Sequence, residues 1–210
     1  WPAVRSQSRH ALETGALVPI ATSVHVLEEQ GLRFAVRRVE RIAQKEAAAS
    51  SEDSPVDPFA PPYETDLHVG DVSDTHVALL NKFNVLDEHL LLVTRQYAPQ
   101  TELLDETDFA AMLRAMAGTE SLAFYNGGAL AGASQPHKHL QVVPLPLAGE
   151  VPEMPFDPFF EQAVTNSCPA RSPDLPFTHA VAPMPQGWRH APDEAARTVT
   201  DLYHQLWWKL

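Results

Sequence analysis

The spacing of apolar and polar residues divides the chain into short strands and a few helices. Over 105–117, Phe109, Met112, Leu113 and Met116 recur at i, i+3, i+4 and i+7, the period of one helix face. Thr107 is the expected N-cap of that helix and Gly118 its stop. Another helix is expected over 6–18, where Ala11, Leu12, Ala16 and Leu17 share a side. A third is expected over 192–210, with Asp193 and Glu194 in its first turn. Residues 75–80 (THVALL) and 89–94 (HLLLVT) are β-rich runs whose spacing predicts an antiparallel pair joined by 81–88. Further strands are expected at 23–27, 33–39, 122–125, 137–143 and 177–181. Residues 47–58 (AAASSEDSPVDP) read as a mobile loop, and 145–176 as a Pro-rich crossing segment with one helical turn near Phe160. There is no internal repeat, and strands and helices mix without strict βαβ alternation. The expected class is therefore α+β.

Charge and composition narrow the functions. Fifteen Lys and Arg stand against 27 Asp and Glu, a formal net charge of −12 over 210 residues. So acidic a chain is a poor generic partner for nucleic acid or an anionic membrane, both of which attract basic surface. No apolar run approaches the roughly 18 residues that span a bilayer. With 44% hydrophobic and 20% charged residues the composition is that of a folded globular protein. The single cysteine, Cys168, can form neither an internal disulfide nor a cysteine-rich zinc site, which fits a reducing cytoplasm. The chain starts at Trp1 and stops at Leu210, just after the apolar stretch 202–208, whose Trp207 and Trp208 need something to pack on. It is therefore expected to be a fragment.

Chemistry concentrates in 126–144, NGGALAGASQPHKHLQVVP. On a strand, side chains alternate faces, so His137, His139 and Gln141 share one face while Leu140 and Val142 pack on the other. Two imidazoles and a carboxamide form a polar stripe that can hold a phosphate, and a neutral imidazole can attack phosphorus. The preceding loop carries Gly127, Gly128 and Gly132, whose backbone N–H groups are expected to approach phosphate oxygens. Asn126, Ser134 and Gln135 add neutral donors. No Gly-Lys-Ser/Thr follows the glycines, so this is not a Walker loop. An isolated His-x-His also fits a metal pair or a solvated strand edge. The glycine-rich approach and Gln141 favour phosphoryl or nucleotidyl transfer.

The segment GGALAGASQPHKHLQ resembles the active-site segment of the ATP adenylyltransferases, also called diadenosine tetraphosphate phosphorylases, of the histidine-triad superfamily. The block 76–95 (HVALLNKFNVLDEHLLLVTR) is similar to that family's strand–loop–strand around Asn-Lys-Phe-Asn-Val, and 34–45 (FAVRRVERIAQK) to its strand leading to a lysine. Asp57-Pro58-Phe59 falls where a nucleotide-contacting loop is expected. Gln141, where the hydrolases of the superfamily have a third His, resembles the transferase branch that includes galactose-1-phosphate uridylyltransferase. Ala129 and Ala131 stand where Pro and Ser are expected. The resemblance implies a mainly antiparallel, histidine-triad-like sheet with packed helices. It implies a catalytic domain over 1–150, a crossing segment over 151–176, and the incomplete start of a C-terminal domain over 177–210.

The resemblance also implies roles. His139 is the nucleophile that becomes adenylylated, Gln141 hydrogen-bonds the phosphoryl group, and His137 orients its neighbours. Lys45 and Lys82 are candidates for the polyphosphate, with Asn81, Asn126, Gly132, Ala133, Ser134 and Gln135 around the substrate. Lys138 points away from the histidines, one of Arg37 and Arg38 faces the site, and His76 and His89 are expected to be structural. The implied reaction is phosphorolysis of diadenosine tetraphosphate to ATP and ADP, and its reverse. The rivals are a sugar-1-phosphate nucleotidylyltransferase and a non-catalytic nucleotide-binding module. Partners are nucleotides and phosphate, with no nucleic acid and no membrane, in a cytoplasmic monomer or homodimer. A divalent cation such as Mg²⁺ is expected only as carried by the nucleotide, and no bound metal is expected.

Overall fold

The computed structural model describes residues 1–29, 32–39, 57–147, 154, 156–166 and 170–210. Helix α1 (Pro2–Thr14) opens on Pro2, whose fixed φ suits a first turn, and closes where Gly15 turns left-handed at φ 76°. It therefore starts and ends earlier than the 6–18 pattern suggested. Strands β1 (Thr22–Glu29) and β2 (Leu32–Val39) form an antiparallel pair of their own. The main sheet has five antiparallel strands in the order β3 (His68–Asp71), β4 (His76–Leu80), β5 (Leu90–Thr94), β7 (His139–Pro144), β6 (Ser121–Phe124). β3 was not legible as a strand: it is four residues long and contains Gly70. The expected strand at 177–181 reduces to a single bridge between Ala170 and Val181.

Helix α2 (Glu106–Ala117) is capped by Asp105, not Thr107. The Asp105 carboxylate accepts from the backbone N–H groups of Thr107 and Asp108, and the Asp108 side chain accepts from the Asp105 N–H, a reciprocal cap. Helix α3 (Asp157–Asn166) extends the single turn expected near Phe160, and α4 (Pro192–Trp207) follows the expected 192–210.

One face of the sheet carries Ala78, Leu80, Leu90, Leu92, Leu140 and Val142. Val4 and Ala11 of α1, Phe109 and Leu113 of α2, and Ala196 and Val199 of α4 pack with them in one core. Burying each of the Val, Leu and Phe side chains stabilises by about 1.5–3 kcal/mol. The opposite face carries Val77, Leu79, Leu91 and Val93 and is met by Phe59. Among the described residues, no helix is long and apolar enough to cross a membrane.

Candidate active site

β7 places the site by strand alternation. Leu140 and Val142 go into the helix-side core, while His139 and Gln141 turn to the other face. There a cavity of about 650 Å³ opens between Phe59, Leu79, Leu91 and Phe124 on its apolar side and His139, Gln141, Asn126, Ser134 and Gln135 on its polar side. The expectation that His139 and Gln141 share a face is met. β7 starts only at His139, and His137 precedes it in an isolated bridge with Pro99.

The chemistry of His139 follows from its hydrogen bonds. Its Nδ1–H donates to the His137 carbonyl at 2.8 Å. A carbonyl only accepts, so in the neutral ring Nε2 carries the lone pair and is the nitrogen left for the cavity. Burial, and then the neighbouring His137, hold the His139 pKa below its usual 6.5, keeping the ring neutral and nucleophilic at pH 7. The His137 carbonyl hydrogen bond opposes this shift and is outweighed.

His137 is fully buried and does not border the cavity. Its Nδ1 meets Asp57 Oδ2 at 2.7 Å and its Nε2 meets the Thr94 carbonyl at 2.7 Å and the Thr94 hydroxyl at 3.0 Å. Asp57 Oδ1 accepts the Phe59 N–H at 2.8 Å, and the Phe59 ring rests 5.0 Å from the His139 ring. His137 thus fixes His139 twice: through its carbonyl, and through the Asp57 loop that lays Phe59 against the imidazole.

The main chain of His139 is held by a residue the sequence did not single out. β6 ends at Phe124, opposite Gln141, so His139, paired with Val93 of β5 on its other side, has no strand partner on this one. Gln100, itself buried, fills that gap. Its Oε1 accepts the His139 N–H at 2.7 Å, and its Nε2 donates to the carbonyls of His139 at 3.1 Å and Asn126 at 2.9 Å. The carboxamide stands in for a missing peptide unit and ties the nucleophile's backbone to the start of the glycine-rich loop.

That loop differs from expectation. The N–H groups of Gly128, Ala131, Gly132 and Ala133 bond to carbonyls at 126, 128 and 129 within a tight turn. These four N–H groups are thus committed within the turn, and the side chains of Asn126, Ser134 and Gln135 line the cavity. Gly128 is required for another reason: it adopts φ 93°, and a Cβ there would lie 2.9 Å from Thr101 Cγ2. Gly132 borders the cavity, whereas Ala133 does not.

Of the predicted substrate residues, Asn81 and Lys82 also line the cavity. The Lys82 ammonium is gripped by both Glu64 oxygens, at 3.1 and 2.9 Å, and Glu64 lines the same cavity. Lys45 lies outside the described residues, as do residues 47–56 of the expected mobile loop and Cys168. Arg37 donates to the Leu147 carbonyl and borders a separate, smaller cavity beside Asn84; neither it nor Arg38 lines the His139 cavity. Lys138 points opposite to the histidines, as expected. It is buried against Asp108 at 2.5 Å and donates to the Leu103 carbonyl at 2.9 Å. Asp108 also accepts from His76 Nε2 at 3.0 Å. Burial alone would raise the Asp108 pKa, but the hydrogen bonds from His76, Lys138 and the Asp105 N–H outweigh it and hold the carboxyl low. His76 is structural, then, and His89 Nε2 meets Gln141 Oε1 at 2.9 Å.

The antiparallel sheet, with a glycine-rich turn feeding a His-x-His-x-Gln strand over an open cavity, defines a histidine-triad-like protein. Residues 1–162 match the family described as the Ap4A phosphorylase N-terminal domain, and the chain belongs to that family. Two relatives from Saccharomyces cerevisiae (strain ATCC 204508 / S288c) are similar in sequence. Diadenosine 5',5'''-P1,P4-tetraphosphate phosphorylase 2 is 30% identical over 163 residues, covering 67% of this chain and 48% of its own. Protein APA1 is 36% identical over 124 residues, covering 51% of this chain and 36% of its own. The chain thus spans about half the length, or less, of these curated relatives. Yeast Ap4A phosphorylase Apa2 in complex with AMP superposes with a TM-score of 0.76 at 25% identity, over 99% of this chain and 70% of that one. The same enzyme in complex with Ap4A gives a TM-score of 0.77 at 22% identity, over 96% and 70%, a likeness of fold.

Proposed function

We propose that this protein transfers a nucleotidyl group through His139, splitting diadenosine tetraphosphate with phosphate to give ATP and ADP, and running the reverse. The observation that carries the reading is the His139 ring itself, tied at Nδ1 to a carbonyl and neutral, with Nε2 left for a cavity lined by neutral donors. The names of the similar yeast proteins, tetraphosphate phosphorylase 2 and Ap4A phosphorylase Apa2, point to the substrate.

In the first step Nε2 attacks an α-phosphorus, the N–P bond forms, and the P–O bond to the departing ATP breaks. In the second a phosphate oxygen attacks the same phosphorus, the N–P bond breaks, and ADP leaves with the adenylyl group. Dividing one displacement into two is what a covalent nucleophile contributes. The amides of Gln141, Asn126 and Gln135 and the Ser134 hydroxyl supply donors where charge grows on the phosphoryl oxygens. The Phe59 ring lies 5.0 Å from the imidazole and forms part of the apolar wall beside it.

The donor set suits phosphate better than a resident hard cation. Among the described residues, Glu64 is the one carboxylate lining the cavity, and Lys82 occupies it. A divalent cation is accordingly assigned to the nucleotide, where it would neutralise the polyphosphate. The cytoplasm is the assigned compartment, in keeping with a single cysteine.

The test is product analysis. Incubation with diadenosine tetraphosphate and phosphate should yield ATP and ADP in equal amounts, only when phosphate is present. AMP and ATP from water alone would make it a hydrolase. Tight binding without turnover would make it a nucleotide-binding module.

A further inference from the structure

Gln141 has two ends of opposite polarity, and only its NH₂ end suits a phosphate oxygen. Which end faces the cavity follows from a chain of hydrogen bonds that begins at the backbone. The Phe83 N–H, which can only donate, gives to Asn81 Oδ1 at 3.3 Å. This turns the Asn81 Nδ2 amide toward His89 Nδ1, 3.3 Å away, so Nδ1 must accept. A neutral ring that accepts at Nδ1 carries its proton on Nε2, and that N–H donates to Gln141 Oε1 at 2.9 Å. With Oε1 taken, the NH₂ is the end left for the cavity that Gln141 lines.

We propose that His89 is a positioning residue: its tautomer, set by Asn81, fixes Gln141 as a donor toward the phosphoryl group in transfer. The chemical consequence rests on the nucleotidyl-transfer reading above; the polarity of the relay does not. An unguided glutamine would spend part of its time with its carbonyl toward phosphate, where two partial negative charges meet. Asn81, expected from the sequence as a direct substrate donor and lining the cavity, in this relay acts two side chains away.

The surroundings hold His89 in this role. Its carbonyl accepts the Asn81 N–H at 2.9 Å, and its ring lies 6.1 Å from that of Phe124. The preceding residue, Glu88, adopts φ 54°, in the left-handed region disfavoured for side chains other than glycine. Its carboxylate is fixed by the Trp1 indole N–H at 2.8 Å and by Arg5 at 3.4 Å. The first helix thus pins the turn that delivers the imidazole. The relay also needs a neutral ring, since a second proton on Nδ1 would face the Asn81 amide. Burial, reinforced by the nearby His139, pushes the His89 pKa below 6.5 and outweighs the Gln141 hydrogen bond.

Two measurements on the full chain test this. In protein carrying isotope-labelled histidine, long-range nitrogen–proton correlations should show His89 near neutral pH as the Nε2–H tautomer, its signals identified by their loss in His89→Leu. An Nδ1–H tautomer overturns the proposal. The second is the rate at which diadenosine tetraphosphate radiolabelled in its adenylyl phosphates adenylylates the protein in the absence of phosphate, with ATP departing. His89→Leu should slow it about 10- to 100-fold, the worth of one hydrogen bond to a charged group, with ATP affinity held within about threefold. His89→Gln, which restores a donor toward Oε1, should recover most of the rate. If the unaltered protein is never labelled, the transfer reading fails and the tautomer alone decides the relay. If it is labelled and His89→Leu is labelled equally fast, the relay fails and the transfer reading stands. Should His89→Leu not fold, the His89→Gln rate and the tautomer of the unaltered protein still decide.

Discussion

Behind the main sheet, α1, α2 and α4 press Val4, Leu113, Ala196 and Val199 into one core with Leu92 and Leu140. In front of it, Phe59 and Tyr63 cover Val77, Leu79, Leu91 and Val93, and the rest opens into the cavity. The same strands build both faces. Behind, Lys138, Asp108 and His76 are buried, with Asp108 bonded to both of the others. In front, His139 and Gln141 each have one end tied and the other turned to the cavity. The packed face gives the strand a fixed position, and the open face uses it. The two faces should therefore fail differently when altered.

The largest effect is expected on the open face. His139→Ala should lower phosphorolysis on the order of 10³-fold or more, as loss of a nucleophile does, while nucleotide binding and thermal stability persist. Label from diadenosine tetraphosphate carrying radioactive adenylyl phosphates should disappear from that variant, and its persistence would assign the nucleophile elsewhere. Next comes the packed face. Asp108→Ala leaves Lys138 buried without its counter-charge and removes the Asp108 half of the reciprocal α2 cap, at a cost of about 3–5 kcal/mol. Thermal unfolding should drop by about 6–20 °C at this chain length. A loss under about 1 kcal/mol would show that the buried pair does not anchor the strand.

A change of pH should separate the faces without mutation. Both His139 and His89 have pKa values held below 6.5 by burial. The unfolded chain takes up those protons at higher pH than the folded one, so between the two the unfolded state binds more protons. Stability is therefore full above pH 6.5 and declines as pH falls through the folded values. The acid limb of kcat/KM should likewise lie below pH 6.5, because a protonated His139 cannot attack. An acid limb above that value would contradict the buried, neutral imidazole.

The smallest effect is expected at the cavity rim. Glu64 and Lys82 are both well exposed, so their ion pair contributes no more than about 1 kcal/mol. Glu64→Gln should barely move the melting temperature. It should tighten ATP binding a few-fold by removing a negative charge and freeing the ammonium, measured by calorimetry at fixed salt. Weaker binding would mean that Glu64 orders Lys82 for the ligand.

The sequence by itself determined what is local. A period of two residues put His139 and Gln141 on one face and Leu140 and Val142 on the other, and the 3.6-residue recurrence of Phe109, Leu113 and Met116 gave α2. Each of these patterns lies within a few residues, where backbone geometry alone sets which side chains share a side. The same locality explains the near misses: Asp105 and Thr107 are both good caps, and which one serves depends on where Asp108 reaches. Only the tertiary structure decided which groups hold the site. Asp57 meets His137 across 80 positions, His89 meets Gln141 across 52, and Gln100 meets His139 across 39. A hydrogen bond needs its partner within about 3 Å at the right angle, and no composition or period encodes that. It arises when the helices behind the sheet fix the strands and the loops in front must satisfy whatever polar atoms the strands present.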